Sequence, residues 1–305
     1  SEAVGAGGVR LPTASKIGLA ASCAFPWSPQ APRAPREAMS PLADKGNAVH
    51  AVAESLVRGE TVDWSSLEPE VAALARGAEA FLASRSFNGL RAEIPLAYDV
   101  TTRTGREMPG GKHRAYTSAK PTEIVGTTDV LAHAVVLDWK TGRGVRSEEA
   151  VESPQLRTLA LAAARAFGWR EVLIGYVHLE PGDFYIDAET IGAWELDEHA
   201  DLLARIHAQI VRGDQAPQPG PHCYDSWCPI RAVCPTTTAA LVKIDAADLL
   251  ATAEHQIPAA VPLATARTPS AEIPFPTQRP INWTRYAIVA VILLVPLAVY
   301  EFYPD

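Results

Sequence analysis

Val125-Gly-Thr-Thr-Asp129 is followed nine residues later by Asp138-Trp-Lys-Thr-Gly142. The pattern around these two segments predicts two consecutive strands, Glu123–Leu131 and His133–Trp139. Only a short connection separates them, so we expect the two strands to pair with each other.

This pairing would bring three chemically active side chains together. Side chains alternate between the two faces of a strand, so Asp138 and Lys140 share one face while Trp139 points into the core. If the strands pair, Asp129 can lie across from Asp138. Two carboxylates and one ammonium group on one patch can hold a magnesium-type ion and stabilise a phosphate under attack.

The composition limits the class of protein. The chain has 305 residues, of which 48% are hydrophobic and 20% charged, so it can bury a substantial core in one domain with appendages. A net charge of −8 argues against a protein that coats nucleic acid generally. An enzyme that holds nucleic acid through a local basic segment and a bound metal remains compatible with this charge. No secretory signal pattern opens the sequence, so we expect a cytoplasmic protein.

A local basic segment does precede the Asp129 strand. It is rich in glycine, only Glu107 opposes its positive charge, and its cationic residues are Arg103, Arg106, Lys112, Arg114 and Lys120. A solvated loop and a DNA-contacting loop are equally compatible with this pattern.

The remaining elements alternate in an α/β order. Five helices are predicted, at Thr13–Ala24, Gly46–Arg58, Glu68–Ser84, Ser153–Phe167 and Ile191–Val211. Two further strands are predicted, at Arg91–Val100 and Glu171–Leu179. The three neighbouring strands favour an antiparallel meander, and the later strand would join the sheet through a helical crossover.

The cysteines form a second constellation. Cys223, Cys228 and Cys234 are spaced C-x4-C-x5-C, and the remaining cysteine is Cys23, far upstream. A disulfide network is not expected without an export signal. Four thiolates can bind zinc or an iron–sulfur cluster, and spacing alone does not choose between them. Either site would tie the beginning of the chain to the end of its domain.

Six features in this order resemble the RecB-like, Cas4-like branch of the PD-(D/E)xK nucleases, from Ser15 to Pro235. They are a serine-led helix ending in Cys23, G-x-x-x-H at Gly46 to His50, G-x-x-D at Gly126 to Asp129, D-x-K-T-G at Asp138 to Gly142, a glutamine-led helix at Gln155 and the cysteine trio. The resemblance implies a restriction-endonuclease-like core with a mixed central sheet flanked by helices.

The resemblance also implies roles for these residues. Asp129, Asp138, His50 and the Trp139 carbonyl would bind Mg²⁺ or Mn²⁺. Lys140 would orient the attacking water and offset charge on the phosphate. Gln155 corresponds to the first residue of the Q-x-x-x-Y motif of the family. The four cysteines Cys23, Cys223, Cys228 and Cys234 would hold a structural [4Fe–4S] cluster.

Two departures from the family pattern weaken parts of this interpretation. Leu159 stands where the tyrosine of the glutamine motif is expected, and the first gap in the cysteine trio is four residues, where two is common in Cas4-type proteins. Taken alone, His50 could be structural and Gln155 an ordinary residue of a first helical turn. Glu93 could face the site, or it could be an exposed strand carboxylate.

The expected activity is therefore a metal-dependent deoxyribonuclease, an exonuclease acting on single strands or DNA ends in repair, recombination or CRISPR adaptation, with possible protein partners in such a complex. The alternative is a catalytically retired nuclease fold that binds DNA or serves as a scaffold. The predicted domains are a flexible N-terminus at 1–12, the nuclease domain at 13–236, a proline-rich linker at 237–280 and a hydrophobic tail at 281–305. Tyr286–Tyr300 carries no charge but is short for a membrane span, so a tail anchor, a partner-docking segment and a strand packed on the domain all stay open.

Overall fold

The computed structural model describes residues 11–34, 41–109, 116–142, 149–225 and 228–236. Its helices are α1 (Ile17–Ser22), α2 (Pro41–Val57), α3 (Pro69–Ala83), α4 (Pro154–Phe167), α5 (Ala193–Arg212) and α6 (His222–Asp225). Its strands are β1 (Arg91–Asp99), β2 (Thr104–Glu107), β3 (Glu123–Ala132), β4 (Val135–Lys140), β5 (Val172–Glu180) and β6 (Asp183–Ile191).

The six strands form one mixed sheet in the order β2-β1-β3-β4-β5-β6. All neighbouring strands are antiparallel except β4 and β5, which run parallel. Parallel neighbours need a long crossover, and α4 lies within the connection between them. The predicted mixed α/β fold, with a central sheet flanked by helices, is confirmed.

Both faces of the sheet are covered. On one face, α4 and α5 pack on the sheet around Leu156, Leu161 and Leu203, which are fully buried. On the other face, α2 and α3 pack on Trp139, whose ring meets Phe81 edge-on at a centroid distance of 5.4 Å. Trp139 is therefore a core residue, as the alternation of faces in β4 predicts.

Local sequence explains the position of α4. Its N-cap is Ser153, whose hydroxyl accepts a hydrogen bond from the backbone N–H of Leu156, and Pro154 occupies the first helical position. The helix ends at Gly168, which has a left-handed φ of 76°. These signals start α4 directly before Gln155, so that the glutamine lies in its first turn.

Several element boundaries differ from the sequence predictions. The helix predicted at Thr13–Ala24 is a 3-10 turn at Ala14–Lys16 followed by α1. The helix predicted from Gly46 begins five residues earlier, at Pro41. The edge strands β2 and β6 and the short helix α6 were not predicted.

Some predictions fall outside the described residues. They include the linker at 237–280, the tail at 281–305, most of the flexible stretch at 1–12, and the basic residues Lys112 and Arg114. Among the described residues, no helix combines the length and the apolar character that a membrane crossing requires. The predicted domain boundaries and membrane contact stay predictions.

Candidate functional site

Asp129 is the carboxylate around which the site is built. The β3–β4 ladder ends at the pair Val130 and Leu137, so the next backbone N–H of β4 on this edge, that of Trp139, needs another partner. That N–H donates to Oδ2 of Asp129 at 2.9 Å. The same oxygen lies 3.3 Å from Nδ1 of His50, which α2 supplies. Asp129 thus joins a strand end to a neighbouring helix.

Asp138 and Lys140 lie on the same face of β4, as predicted. Nζ of Lys140 is 2.5 Å from Oδ2 of Asp138, and Nε2 of Gln155 donates to Oδ1 of Asp138 at 2.9 Å. The Lys140 ammonium also lies 4.5 Å from the centre of the Tyr176 ring, a cation–π contact. Both oxygens of Asp138 are therefore held by polar partners.

The burial of this pair shapes its protonation. Burial raises the pKa of Asp138, and the negative charge of Asp129 raises it further, while Lys140 and His50 partly oppose the shift. Burial disfavours the charged form of Lys140 and is the largest single effect on its pKa, but the attractions of Asp138, Tyr176 and Asp129 together outweigh it and raise the pKa of the ammonium. Asp129 and Asp138 thus place two buried carboxylates close together, and a divalent cation would neutralise their negative charge.

Glu93 completes the group of ligands around Asp129. One ligand atom each from His50, Glu93 and Asp129 lies within 4.8 Å of the others. Carboxylate oxygens and an imidazole nitrogen are donors that suit Mg²⁺ or Mn²⁺. The role of Glu93 was left open by the sequence, because an acidic residue between Ala92 and Ile94 in a strand fits both a site residue and an exposed carboxylate. Whether the Trp139 carbonyl adds a further ligand stays a prediction.

A cleft of about 540 Å³ opens at His50 and Asp138, while Asp129 and Glu93 are not among its lining residues. Its lining includes His50, Asp138, Lys140 and Gln155, together with Leu159 and several hydroxyl side chains. The structure therefore gathers the catalytic and metal-binding candidates from α2, β3, β4 and α4 in one place. The assignments of their individual roles stay predictions.

Gly126 lets two elements approach β3 closely beside this cleft. A Cβ built at Gly126 would lie 2.6 Å from Cβ of Ala14 and 2.9 Å from Cδ2 of Leu159. The turn at Ala14–Lys16 and the helix α4 thus pack directly on the glycine. Leu159, which stands where a tyrosine was expected, is 1% exposed and packs here.

The four cysteines meet in a separate pocket. Cys23, Cys223, Cys228 and Cys234 line one small cavity, and none of the four forms a disulfide. The backbone N–H of Gln218 donates to Sγ of Cys23 at 3.5 Å. Burial raises the pKa of Cys228, and the other three cysteines raise it further. Four soft sulfur donors around one cavity fit zinc or an iron–sulfur cluster.

The described part of the basic segment is engaged with carboxylates. Arg106 donates through Nε and Nη2 to both oxygens of Glu123, each at 2.8 Å. Arg103 donates to Asp201 at 2.9 Å, and the Lys120 ammonium lies 3.8 Å from Glu123. None of these three residues lines the cleft. A DNA-contacting role for this segment stays a prediction.

Of three comparisons with known proteins, the one with family models identifies a superfamily. The family model of the PD-(D/E)XK nuclease superfamily matches residues 13–235. No curated protein sequence matches the chain. Among solved structures, the crystal structure of SSO0001 matches with 17% sequence identity and a TM-score of 0.35, covering 65% of this chain and 72% of that chain. A TM-score this low supports no inference about activity.

Proposed function

This chain belongs to the PD-(D/E)XK nuclease superfamily, and we propose that it is a metal-dependent DNA nuclease that hydrolyses phosphodiester bonds. One observation supports the proposal most strongly. The Asp138–Lys140 pair opens into the same cleft as His50, which lies 3.3 Å from Asp129.

His50, Glu93, Asp129 and Asp138 would hold one or two Mg²⁺ or Mn²⁺ ions, with the Trp139 carbonyl as a further ligand. Such ions, when bound, lower the pKa of water and neutralise charge on a phosphate. The described residues fit this role, since their donors are oxygen and imidazole nitrogen and their ligand atoms converge within 4.8 Å for three of them.

Lys140 supplies a fixed positive charge in the cleft. Its raised pKa keeps the ammonium protonated at neutral pH, so it can stabilise negative charge that develops on a phosphate oxygen. Gln155 holds one oxygen of Asp138, which fixes the orientation of that carboxylate. The buried setting of Asp138 limits screening by water and strengthens these interactions.

A direct test compares Lys140→Met and Asp138→Asn with the parent protein on linear single- and double-stranded DNA in Mn²⁺ or Mg²⁺. We expect each change to lower kcat by about 10²- to 10³-fold, the usual cost of removing a group that stabilises the transition state. Lys45→Met is the matched control, because Lys45 pairs with Glu70 and does not line the cleft. Unchanged activity of Lys140→Met would refute the mechanism.

We further propose that the enzyme acts on DNA ends or single strands as an exonuclease. The resemblance to RecB-like and Cas4-like nucleases supports this, as does a role in repair, recombination or CRISPR adaptation with partner proteins. Linear and covalently closed circular single-stranded DNA of the same sequence separate the modes of action. Degradation of the linear form alone is the expected result, and cleavage of the circle would show endonuclease activity.

The cysteine pocket is proposed to hold a structural [4Fe–4S] cluster, with zinc as the alternative. The support is the meeting of Cys23 with Cys223, Cys228 and Cys234 around one cavity. Iron and acid-labile sulfide in protein purified without oxygen, together with a brown colour, are expected. Colourless protein that contains zinc and no iron would favour the alternative.

A retired nuclease that binds DNA or acts as a scaffold is the second candidate. Two observations favour it: Leu159 is buried where a hydroxyl was expected, and the described arginines of the basic segment are paired with carboxylates. Metal-independent DNA binding without hydrolysis under any divalent cation would support this candidate over the nuclease.

A further inference from the structure

Two pairs of hydroxyl side chains line the cleft, and the proposed hydrolysis leaves them without a role. Oγ1 of Thr13 and Oγ of Ser15 are 3.2 Å apart, and the Tyr116 hydroxyl is 2.9 Å from Oγ1 of Thr127. All four residues line the cleft. Ala14 lies between Thr13 and Ser15 and packs on Gly126, which precedes Thr127, so the backbone segments that carry the two pairs lie close together. We call these four residues the hydroxyl patch.

The small number of positive charges among the described cleft residues makes the hydroxyl patch relevant to substrate binding. Among the described residues that line the cleft, Lys140 alone carries a permanent positive charge, and it is paired with Asp138. The described arginines of the basic segment lie elsewhere and contact Asp201 and Glu123. Among the described residues of the cleft, a polyanionic strand would therefore meet neutral donors beyond the reacting centre.

Hydroxyl groups are suited to this contact. A phosphate oxygen accepts hydrogen bonds only, whereas each hydroxyl can donate one and accept others. When the phenolic Tyr116 donates to Thr127, the hydroxyl proton of Thr127 is directed to a third group. The Tyr116 ring is 7% exposed and packs with Ala97 and Met108, which fixes its hydroxyl beside Thr127. Serine, threonine and tyrosine hydroxyls are common contacts of nucleic-acid phosphates.

We propose that the hydroxyl patch binds the DNA phosphate adjacent to the scissile one. Ser15 and Thr127 contact the phosphate oxygens, while Thr13 and Tyr116 are positioning residues that orient those two hydroxyls. The inference rests on the proposed nuclease function and assigns the part of the cleft that holds the strand beside the reacting bond.

The test uses two substrates that differ in the number of phosphates. A single-stranded oligonucleotide offers neighbouring phosphates, whereas bis(p-nitrophenyl) phosphate contains one phosphodiester and no neighbour. For the double variant Ser15→Ala with Thr127→Val, we expect KM for the oligonucleotide to rise about tenfold or more with little change in kcat, as for loss of hydrogen bonds to a charged group. Hydrolysis of bis(p-nitrophenyl) phosphate in Mn²⁺ should stay at the parent rate.

Two further variants sharpen the comparison. Tyr116→Phe keeps the ring packing and removes the hydroxyl, so it should raise KM for the oligonucleotide without changing the melting temperature. Thr104→Val is the matched control, since Thr104 forms a hydroxyl pair with Thr102 at 2.7 Å but does not line the cleft. It should match the parent protein on both substrates.

The outcomes separate the two proposals. If the double variant has the same oligonucleotide KM as Thr104→Val, or loses activity equally on both substrates, the hydroxyl patch does not bind a neighbouring phosphate. If Lys140→Met retains full activity on both substrates, the nuclease mechanism itself is wrong, whatever the hydroxyl patch does.

Discussion

Glu93 has a φ of 51°, in the left-handed region that side chains other than glycine rarely adopt. The residue interrupts the β1–β3 ladder, because regular pairs form at Ala92 with Val130 and at Ile94 with Thr128, on either side of it. Its carboxylate lies within reach of His50 and Asp129. Backbone strain at this point is therefore coupled to the placement of a candidate metal ligand.

The strain can be measured by two substitutions that remove the same charge. Without metal, we expect Glu93→Gly to be more stable than Glu93→Ala by about 1 kcal/mol, because glycine adopts positive φ without a steric cost. In an ordinary strand the order would be reversed. Urea denaturation in the presence of a chelator measures the difference.

Metal binding should respond differently from stability. Both Glu93 variants should bind Mn²⁺ more weakly than the parent protein in calorimetry, since both lack the carboxylate. Equal stability of the two variants would show that the left-handed backbone costs nothing. Unchanged Mn²⁺ affinity would remove Glu93 from the metal site.

At the scale of single residues, the sequence predicts those contacts that follow directly from the spacing of residues along a strand. Asp138 and Lys140 share a face because strand side chains alternate, and the structure places them 2.5 Å apart. The approach of Asp129 to the backbone of Trp139 depends on where the ladder ends, and the position of Glu93 depends on its φ. Neither quantity is visible in the residue types.

Among the elements, the turn at Ala14–Lys16, strand β3 and helix α4 depend on one another through Gly126. Its missing side chain leaves the space that Ala14 and Leu159 occupy. Residues of that turn and of α4 line the cleft, so this packing sets the shape of one of its walls.

Gly126→Ala should destabilise the protein by about 1–3 kcal/mol, the usual cost of overpacking a close contact, and should reduce activity by displacing the turn. Ala14→Gly should recover part of the loss, since it removes the Cβ that the new methyl meets at 2.6 Å. Gly46→Ala is the matched control, because its Cβ would lie 3.4 Å from Oγ1 of Thr141 in a helix that favours alanine. Thermal denaturation and nuclease rates measure both effects, and equal stability of the two alanine variants would contradict the packing account.

Helices α4 and α5 are joined by a buried hydrogen bond. Thr158 donates to the carbonyl of Pro154 at 2.6 Å, so its oxygen accepts from Nε2–H of His199 at 2.8 Å. Burial, aided by the charge of Arg157, lowers the pKa of His199 to about 3. The imidazole is therefore neutral in the folded protein at pH 5, although an unfolded histidine would be protonated there.

This pKa shift predicts the direction of pH-dependent stability. Below pH 6.5 the unfolded chain binds a proton at this histidine that the folded protein does not. As the pH is lowered from 6.5, the free energy of unfolding therefore decreases by about 1.4 kcal/mol per pH unit, until the pH reaches about 3. His199→Gln keeps an N–H donor but cannot titrate. Between pH 6.5 and pH 5 the parent should lose about 2 kcal/mol more than this variant in urea denaturation. Parallel pH profiles would refute a neutral buried histidine.

The edge strands show the limits of reading elements from the sequence. β2 consists of Thr104-Gly-Arg-Glu107 and contains no apolar residue, so it has no strand pattern; its pairing with β1 defines it. β6 contains Asp183, Asp187 and Glu189, so its composition does not indicate a strand. Its antiparallel pairing with β5 defines it. The inner strands β3 and β4 are mostly buried, and their apolar runs made them predictable.

Across the whole molecule, the cysteine pocket connects parts of the chain that are distant in sequence. Cys23 follows α1, whereas Cys223, Cys228 and Cys234 follow α5. The cysteine spacing predicts that these four residues meet. The contacts of the described arginines of the basic segment with carboxylates, in contrast, could not be predicted from the composition or the net charge of −8. Such pairings depend on which surfaces the fold brings together.

A bound metal or cluster in this pocket would crosslink the two ends of the domain. Cys23→Ala should therefore lose the bound metal and lower the melting temperature by roughly 10 °C, given about 4 kcal/mol for closing a long loop. Ser22→Ala is the control, since it lies next to Cys23 and is exposed. Equal melting temperatures for the two variants would exclude a structural role for the pocket.

The order of these residues along the chain also determines which of the two candidate sites, the cleft or the cysteine pocket, is fully synthesised first. Asp129 and Lys140 leave the ribosome before Gln155, and Cys234 is among the last of the described residues. A nascent chain therefore carries the carboxylates and the lysine at a stage when Cys23 still has no cysteine partners. If the pocket holds the proposed cluster, all four of its ligands are available only after translation has passed Cys234, and the supply of metal, as well as folding, would then determine when a new molecule matures.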